Sequence, residues 1–461
     1  MSLARTKAGS PLNGVVEGFY GRPWTLRQRR ALIDWLHQAG LNAYLYAPKD
    51  DLKHRALWRE PYTRSEAAGL RAVADACRER GVQFIYAIAP GLDLAAAKPN
   101  ETATLIAKLD QVRRLGASHC AILWDDLPAG LSQEDRRVYG TVAAAHCAVA
   151  NRVAGALERD FPGCRLLFCP TVYCGRMAKP SVPQSPYLRE VGEKLRPGIE
   201  FLWTGPHIVS ETIPANSIRA LRRVVGRKPI LWDNLHANDY DSRRLYLGPY
   251  SGRAPALRQE IGGVLLNPNC QFEANFIPIH TLGAWCQSAR PPAARTAFRG
   301  ATAAWLPAFT CRGGATLETD EIGLLADFFY LPCELGSRAR AYVADLKRVL
   351  GAAPDRWGAV ERRFEGTSRQ ILALCDKLTQ LDDRDLLYAL YPRVWELKET
   401  VLLLLAWIAW RRRAPNPKAR FRSPDYRPGI FRGGFAATIE RLLPMDDAGV
   451  FTPAVWAHSD E

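Results

Sequence analysis

An α/β fold is predicted: a (β/α)8 barrel followed by an all-helical C-terminal domain. Eight apolar runs predict it, at 14–20, 42–48, 83–90, 119–126, 165–173, 200–206, 229–234 and 263–269. Short continuous apolar runs of this kind read as strands buried on both faces of a parallel sheet. Each run ends in polar or aromatic residues, and segments of helical character lie between them. Successive runs begin 28 to 46 residues apart, room for a strand, a crossover helix and loops. Eight such units in about 270 to 290 residues fit a TIM barrel better than a doubly wound sheet. No G-x-G-x-x-G turn follows the first run, which also weighs against a dinucleotide fold.

The first helix is expected at 25–40. Thr25 supplies an N-cap, Leu26, Ile33 and Leu36 recur at helical spacing around Arg29 and Arg30, and Gly40 closes the segment. Residues 65–81 repeat the plan, with Glu66 in the first turn. Past 290 the character changes. Residues 287–295 are rich in Pro, Ala and Arg, and helices are expected at 296–310, 317–330, 334–351, 354–378, 382–412 and 436–443. The basic, Pro/Gly-rich stretch 414–434 reads as a loop. The expected organisation is an N-terminal extension (1–13), a catalytic barrel (14–290) and a helical domain (291–461). The last lacks polar strand ends, so it reads as a support or interaction surface.

The chain has 461 residues, 48% of them hydrophobic, and a net charge of +15. Its basic residues are spread along the sequence rather than gathered in one tail. That pattern favours an arginine-rich surface over a nucleic-acid footprint. The eleven cysteines are odd in number and scattered, several within apolar stretches, which suggests reduced thiols and a cytoplasmic setting. Cys164, Cys169 and Cys174 are five residues apart along one strand and its exit, unlike a zinc site. No apolar leader is visible in the first dozen residues. The apolar run 401–410 is too short to cross a bilayer and reads as a core helix, so no membrane segment is expected.

The chemistry centres on Asp125 and Asp126, which end the run Cys120-Ala-Ile-Leu-Trp124 ahead of a Leu-Pro break. Barrel enzymes gather their catalytic groups where the strands end. Adjacent residues on a strand face opposite ways with Cα atoms about 3.8 Å apart. Two such carboxylates cannot easily straddle a glycosidic bond as acid and nucleophile, which takes about 5 Å or more. Where the strand breaks into a loop, both can still reach one side of a bound sugar. This favours a substrate-assisted route, in which a 2-acetamido oxygen of the sugar attacks the anomeric carbon. One Asp would hold the amide N–H, and the other would protonate the leaving oxygen. From the pair alone, capping of the next helix or Mg²⁺ binding is an equal alternative.

The surrounding stretches closely resemble glycoside hydrolase family 84, the β-N-acetylglucosaminidases that include protein O-GlcNAcases and bacterial relatives. The similarity lies in GVVEGFYGRPWT (14–25), YLYAPKDDLKHRA (44–56), FIYAIAPGLDL (84–94), LWDDL (123–127), FCPTVYCGR (168–176), LWTGPH (202–207), LWDNLHANDYDS (231–242) and LLNPNCQFEANF (265–276). One stretch falls at each strand end, in order, over residues 14 to 290. No acetyltransferase-like domain is visible.

The resemblance implies that Asp125 orients and polarises the acetamide and that Asp126 is the general acid/base. It implies that Lys49 bonds a sugar hydroxyl, where the alternative is a surface ion pair with Asp50 or Asp51. Tyr173 would bond near the acetamide and Cys169 would line its methyl pocket, although core packing alone would explain this cysteine. Trp232 would wall the site, Asn234 would help place the reacting group, and Asp239 and Asn267 would bind hydroxyls. Gly18 would offer a backbone carbonyl with room for close sugar approach, and Thr204 could be a contact or plain strand-end packing. Asp233 and Asp241 would brace loops.

The implied function is a retaining glycoside hydrolase. It would release terminal β-linked N-acetylglucosamine, from Ser/Thr of proteins or from small glycosides, through an oxazoline intermediate. No cofactor is expected. No metal is expected either, since His236 among Asp233, Asp239 and Asp241 matches no standard ligand spacing. No G-x-S-x-G elbow points to a serine hydrolase. The alternatives are a two-carboxylate glycosidase of another class on the same barrel, or a non-catalytic barrel that binds carbohydrate or nucleic acid.

Overall fold

A computed structural model of the chain describes residues 10–127, 130–288, 293–413, 420–423, 434–446 and 449–450. Most of the expected N-terminal extension and of the 414–434 loop lies outside these residues. Eight parallel strands close into a barrel in chain order. They are β1 (Leu12–Glu17), β2 (Ala43–Tyr46), β3 (Gln83–Ile88), β4 (His119–Leu123), β5 (Leu166–Cys169), β6 (Glu200–Trp203), β7 (Pro229–Asp233) and β8 (Gly263–Leu266). Helices α1 (Leu26–Gln38), α2 (Arg64–Glu79), α3 (Pro99–Arg114), α4 (Gln133–Tyr139), α5 (Val142–Asp160), α6 (Pro186–Lys194), α7 (Ala215–Val225) and α8 (Phe276–Gln287) accompany them.

Three expectations need correction. β1 starts at Leu12, because its main chain pairs with β8 from Leu12 onward, and it stops at Glu17, leaving Gly18 to Tyr20 in the following loop. The cap of α2 is Thr63, whose side chain accepts from Glu66 N while the Glu66 carboxylate answers, a capping box outside the expected 65–81 span. The strand–helix alternation also fails once. Between β7 and β8 the chain forms loops and a short 3-10 turn (Pro255–Gln259), in a stretch broken by Gly248, Pro249, Gly252 and Pro255. Thr25 does cap α1 as expected, and Gly40 follows it at φ +66°.

The strands obey a strict two-residue alternation. Val16, Leu45, Ile85, Ala87, Ala121, Leu123, Leu167, Leu202, Ile230 and Leu265 share one buried cluster, the barrel interior. Their neighbours Val15, Tyr44, Tyr86, Cys120, Ile122, Phe168, Phe201, Leu231 and Val264 share another cluster with Leu32, Leu36, Val73, Leu109, Val149 and Leu221 of the helices. Parity along each strand therefore assigns every residue to the lumen or to the helical shell.

Glu17 belongs to the outward set and is fully buried. Its carboxylate accepts both a bidentate pair from Arg29 (2.9 and 2.8 Å) and Trp24 N (2.9 Å), and the Tyr44 hydroxyl also donates to it. This cluster ties β1 to α1 and β2 and anchors the loop that leaves the top of β1.

Beyond the barrel come α9 (Ala294–Trp305), α10 (Thr319–Phe328), α11 (Ser337–Leu350), α12 (Gly358–Leu378), α13 (Arg384–Arg413) and α14 (Phe435–Leu442). The chain divides into two compact units: the described residues of Met1–Val343 with Leu374–Val394, and those of Ala344–Ala373 with Trp395–Glu461. The apolar run 401–410 lies within α13, where Val401 and Ile408 are fully buried, Leu402 is exposed and the rest are half-buried. Among the described residues no helix is long and apolar enough to cross a membrane. All eleven cysteines are free.

Arg29→Ala leaves a fully buried carboxylate without its cation, a change that typically costs about 3–5 kcal/mol. Urea unfolding should show a loss of this size, and a loss under about 1 kcal/mol would mean the cluster contributes little.

Candidate active site

The lumen opens at the C-terminal strand ends into a cavity of about 360 Å³. Gly18, Lys49, Asp125, Asp126, Cys169, Tyr173, Thr204, Trp232, Asn234, Asp239 and Asn267 all line it. Every residue expected at the site is thus brought to one cavity. Strand parity explains most of this. Gly18, Lys49, Asp125, Cys169, Thr204, Trp232, Asn234 and Asn267 each continue the inward phase of their strand.

Asp126 is out of phase. Following the outward Trp124, it would face the helices if β4 ran on. It has φ +51°, the left-handed region, which no other described non-glycine residue adopts. An Asp tolerates that region better than most side chains. The twist swings its carboxylate round to the cavity that Asp125 faces.

The two carboxylates have different partners. Asp125 is buried, and its Oδ2 accepts from the Lys49 ammonium. Its other oxygen, Oδ1, is buried with no partner among the described residues. Burial pushes the Asp125 carboxyl up, but the Lys49 charge and hydrogen bond outweigh it and hold the pKa below the ordinary value. For Lys49, burial works to lower the pKa and Asp125 raises it on balance. Both groups are therefore ionised at neutral pH. Lys49 makes this ion pair rather than one with Asp50 or Asp51, whose carboxylates take Gly21 N and the hydroxyls of Tyr46 and Tyr62.

Asp126 is held by phenols. Tyr173 donates to its Oδ1 (2.9 Å) and Tyr20 to its Oδ2 (3.0 Å). Burial first, then the Asp126 charge, pushes the Tyr173 hydroxyl well up, so it stays a proton donor. Thr204 contributes indirectly. Its N–H donates to the Tyr173 carbonyl (2.9 Å) and its hydroxyl to the His207 carbonyl (2.9 Å), fixing the loop that carries Tyr173.

The opposite wall is an amide network. Asn234 Oδ1 accepts from Trp232 Nε1 and from Asn267 Nδ2, each at 3.0 Å, and Asn234 Nδ2 donates to the Ile208 carbonyl (2.8 Å). That leaves Asn267 Oδ1 buried without a partner among the described residues. Asp239 Oδ2 accepts Tyr20 N (2.9 Å). A Cβ on Gly18 would fall 2.2 Å from the Trp232 ring, so the glycine is required by the indole wall. Cys169 is buried beside the pair, its thiol pushed well up by burial.

Asp233 is outward and structural, as expected. Arg253 grips both of its oxygens (2.6 and 2.8 Å) and Tyr250 donates to it (2.8 Å). Asp241 braces its loop through Arg243 N (3.0 Å). His236 is buried against the Gly248 carbonyl (2.9 Å), with its pKa pushed down by burial to about 4. No group of three or more His, Cys, Asp or Glu side chains that could hold a metal is present among the described residues.

Sequence reasoning missed Tyr20, Arg55, Ile208, Val209, Ala237 and Tyr240. All but Arg55 line the cavity, and Tyr20, Ile208 and Tyr240 form its exposed rim. Tyr20 stands inside the quoted GFYGRPW stretch and could have been singled out. Ile208 and Val209 are apolar loop residues that carry no signal of chemistry.

Lys49→Met would leave Asp125 buried without a cation, and burial would then raise its carboxyl pKa. In the wild type the pair stabilises the fold above the ordinary carboxyl value near 3.9 and below the ordinary lysine value near 10.4. The depressed Asp125 loses that contribution as pH falls through its folded pKa, and the raised Lys49 loses it as pH rises through its own. In the variant Asp125 instead favours the protonated form. The stability deficit should reach about 3–5 kcal/mol at neutral pH and shrink towards about pH 4. Urea unfolding at both pH values checks this, and equal deficits would reject the pairing.

A family model described as beta-N-acetylglucosaminidase matches residues 13–308. Protein O-GlcNAcase of Rattus norvegicus is 51% identical over 277 residues, as is protein O-GlcNAcase of Mus musculus. The matched stretch is 60% of this chain and 30% of each relative, so the chain spans under a third of these curated proteins. A mutant of the Thermobaculum terrenum O-GlcNAc hydrolase superposes with a TM-score of 0.79 at 27% identity, covering 87% of this chain and 84% of that one. With its barrel, its strand-end cavity and more than half its length matched by the model, the chain belongs to the β-N-acetylglucosaminidase family.

Proposed function

We propose that this chain is a retaining β-N-acetylglucosaminidase that acts by substrate assistance on terminal β-linked N-acetylglucosamine. One observation carries the reading most directly: the ionised Asp125 keeps one buried oxygen, Oδ1, without a donor, at the edge of a cavity. A buried acceptor of this kind is costly unless a ligand satisfies it. An amide N–H of a bound sugar is such a donor, and a carboxylate there favours the positive charge that develops as the amide oxygen attacks.

In the first step the acetamide oxygen bonds to the anomeric carbon and the bond to the leaving oxygen breaks. Asp126 gives its proton to that oxygen, and Asp125 holds the N–H of the resulting oxazolinium. In the second step Asp126 takes a proton from water, the water oxygen bonds to the anomeric carbon, and the ring reopens. Two inversions give net retention. Asp239 and the free Asn267 Oδ1 are suited to sugar hydroxyls, Trp232 to the sugar face, and Cys169 to the acetamide methyl. Lys49 has further ammonium protons available for a hydroxyl beyond the one that binds Asp125.

The relatives' names, protein O-GlcNAcase and O-GlcNAc hydrolase, support O-GlcNAc on Ser/Thr of proteins as the substrate class. Eleven free thiols are consistent with action in the cytoplasm.

Progressive fluorination of the substrate acetamide weakens its carbonyl nucleophile. The rate should fall steeply along that series, and a flat response would remove substrate assistance. Asp126→Ala should lose about 10²–10⁴-fold on glycosides with poor leaving groups and far less on activated aryl glycosides. Asp125→Ala should lose activity on both kinds, because amide attack is required in each.

A further inference from the structure

We propose that Arg55 and Tyr20 form a positioning arm for the Asp126 carboxyl, setting which of its oxygens exchanges the proton with the leaving group. This rests on the reading of Asp126 as the acid/base. Arg55 lies in the loop after β2, and that loop is pinned to β3. The neighbouring His54 is buried, accepts Ala89 N at its carbonyl (2.9 Å) and bonds the Ala87 carbonyl through Nδ1 (2.7 Å). From there the Arg55 guanidinium spans two groups. Nη1 donates to the Tyr20 hydroxyl (2.6 Å) and Nη2 to the Asp126 main-chain carbonyl (3.2 Å).

The Tyr20 hydroxyl in turn donates to Asp126 Oδ2 (3.0 Å). Side chain, phenol, guanidinium and backbone thus close a ring around the residue that holds the left-handed twist. With Arg55 donating into it, the phenol oxygen keeps its own proton directed at Oδ2, and such donor chains strengthen one another. Oδ2 is therefore committed as an acceptor, and the exchangeable proton belongs on Oδ1.

The other phenol is held differently. Tyr173 donates to Oδ1 (2.9 Å), and no cation donates to its hydroxyl among the described residues. It is the partner that yields as a sugar and its leaving oxygen arrive. One arm stays and the other opens. Tyr20 and Arg55 on this account act on proton transfer, not on recognition of the sugar ring.

The test measures kcat/KM on aryl β-N-acetylglucosaminides of graded leaving-group acidity, for wild type, Tyr20→Phe, Arg55→Lys and Arg55→Ala. The expected loss is about tenfold or more on the least acidic leaving group, a fraction of the full general-acid effect. It should shrink steadily as the leaving group becomes more acidic. Arg55→Lys, which keeps a cationic donor, should fall between wild type and Arg55→Ala. Competitive inhibition by free N-acetylglucosamine should change far less than kcat/KM.

A loss equal across the series, or one matched by weaker N-acetylglucosamine binding, overturns the arm. If Tyr20→Phe fails to fold, the two Arg55 variants decide by the same slope. A wild type inert on every glycoside sinks the glycosidase reading itself, whereas an active wild type with parallel losses sinks only this proposal.

Discussion

One geometric constraint governs the site: consecutive residues of a strand face opposite sides, yet two consecutive aspartates must serve one cavity. The closed barrel enforces the alternation, because every strand is paired on both edges and cannot roll. Asp125 reaches the lumen with no departure from strand geometry, being in phase with Ala121 and Leu123. Asp126 gains it only by leaving the strand with φ +51°. Backbone strain of this sort costs of the order of 1–3 kcal/mol and persists where the surroundings over-determine it. Here they do, since two phenols fix the side chain and Arg55 fixes the carbonyl.

The electrostatics divide along the same line. Asp125, in phase and deep, has lost most of its water and depends on one cation, Lys49, with side-chain exposures of 11% and 2%. A buried pair of this kind is weak evidence for stability, because desolvation offsets most of the attraction. Its value lies in fixing a charge. Asp125 stays ionised with one oxygen spare, which is what a nascent cation requires of a neighbour. The Asp126 carboxylate is held by neutral hydroxyls, and the cation nearby, Arg55, binds its main-chain carbonyl instead. In the proposed mechanism it is this carboxyl, bound by hydroxyls that can rotate, that gives up and recovers the proton.

Much of this was legible from sequence, for identifiable reasons. Eight apolar runs marked the strands because a parallel barrel strand is buried on both faces. Once the strands are placed, parity alone sends Lys49, Asp125, Trp232, Asn234 and Asn267 inward. What failed was non-local or lay in turn chemistry. The stretch between β7 and β8 has the length of a helical unit, but its Gly and Pro residues break it into loops. The cap of α2 slipped from Ser65 to Thr63, where spacing to Glu66 completes the box. Arg55 stands in the quoted stretch 44–56, but nothing in the sequence marks its role. It looks like any basic loop residue until the loop is folded against β3 and its guanidinium meets a phenol from after β1.

The division of labour between strands and loops follows from rigidity. Most groups suited to the sugar ring and its amide sit at or just past strand ends, where main-chain pairing and the Trp232–Asn234–Asn267 network hold them, while Asp239 stands in the loop after β7 and accepts Tyr20 N. Gly18 shows how close the tolerances are, since a single added carbon would strike the Trp232 ring. The partners of Asp126 come from the loops after β1, β2 and β5, each tied back to a neighbouring strand or loop. A binding wall gains from being fixed, because misplacement by an ångström weakens every contact at once. In the proposed mechanism Asp126 exchanges a proton in each turnover, and of its partners only the Tyr173 phenol has to yield, so the wall and the Tyr20–Arg55 arm both stay in place.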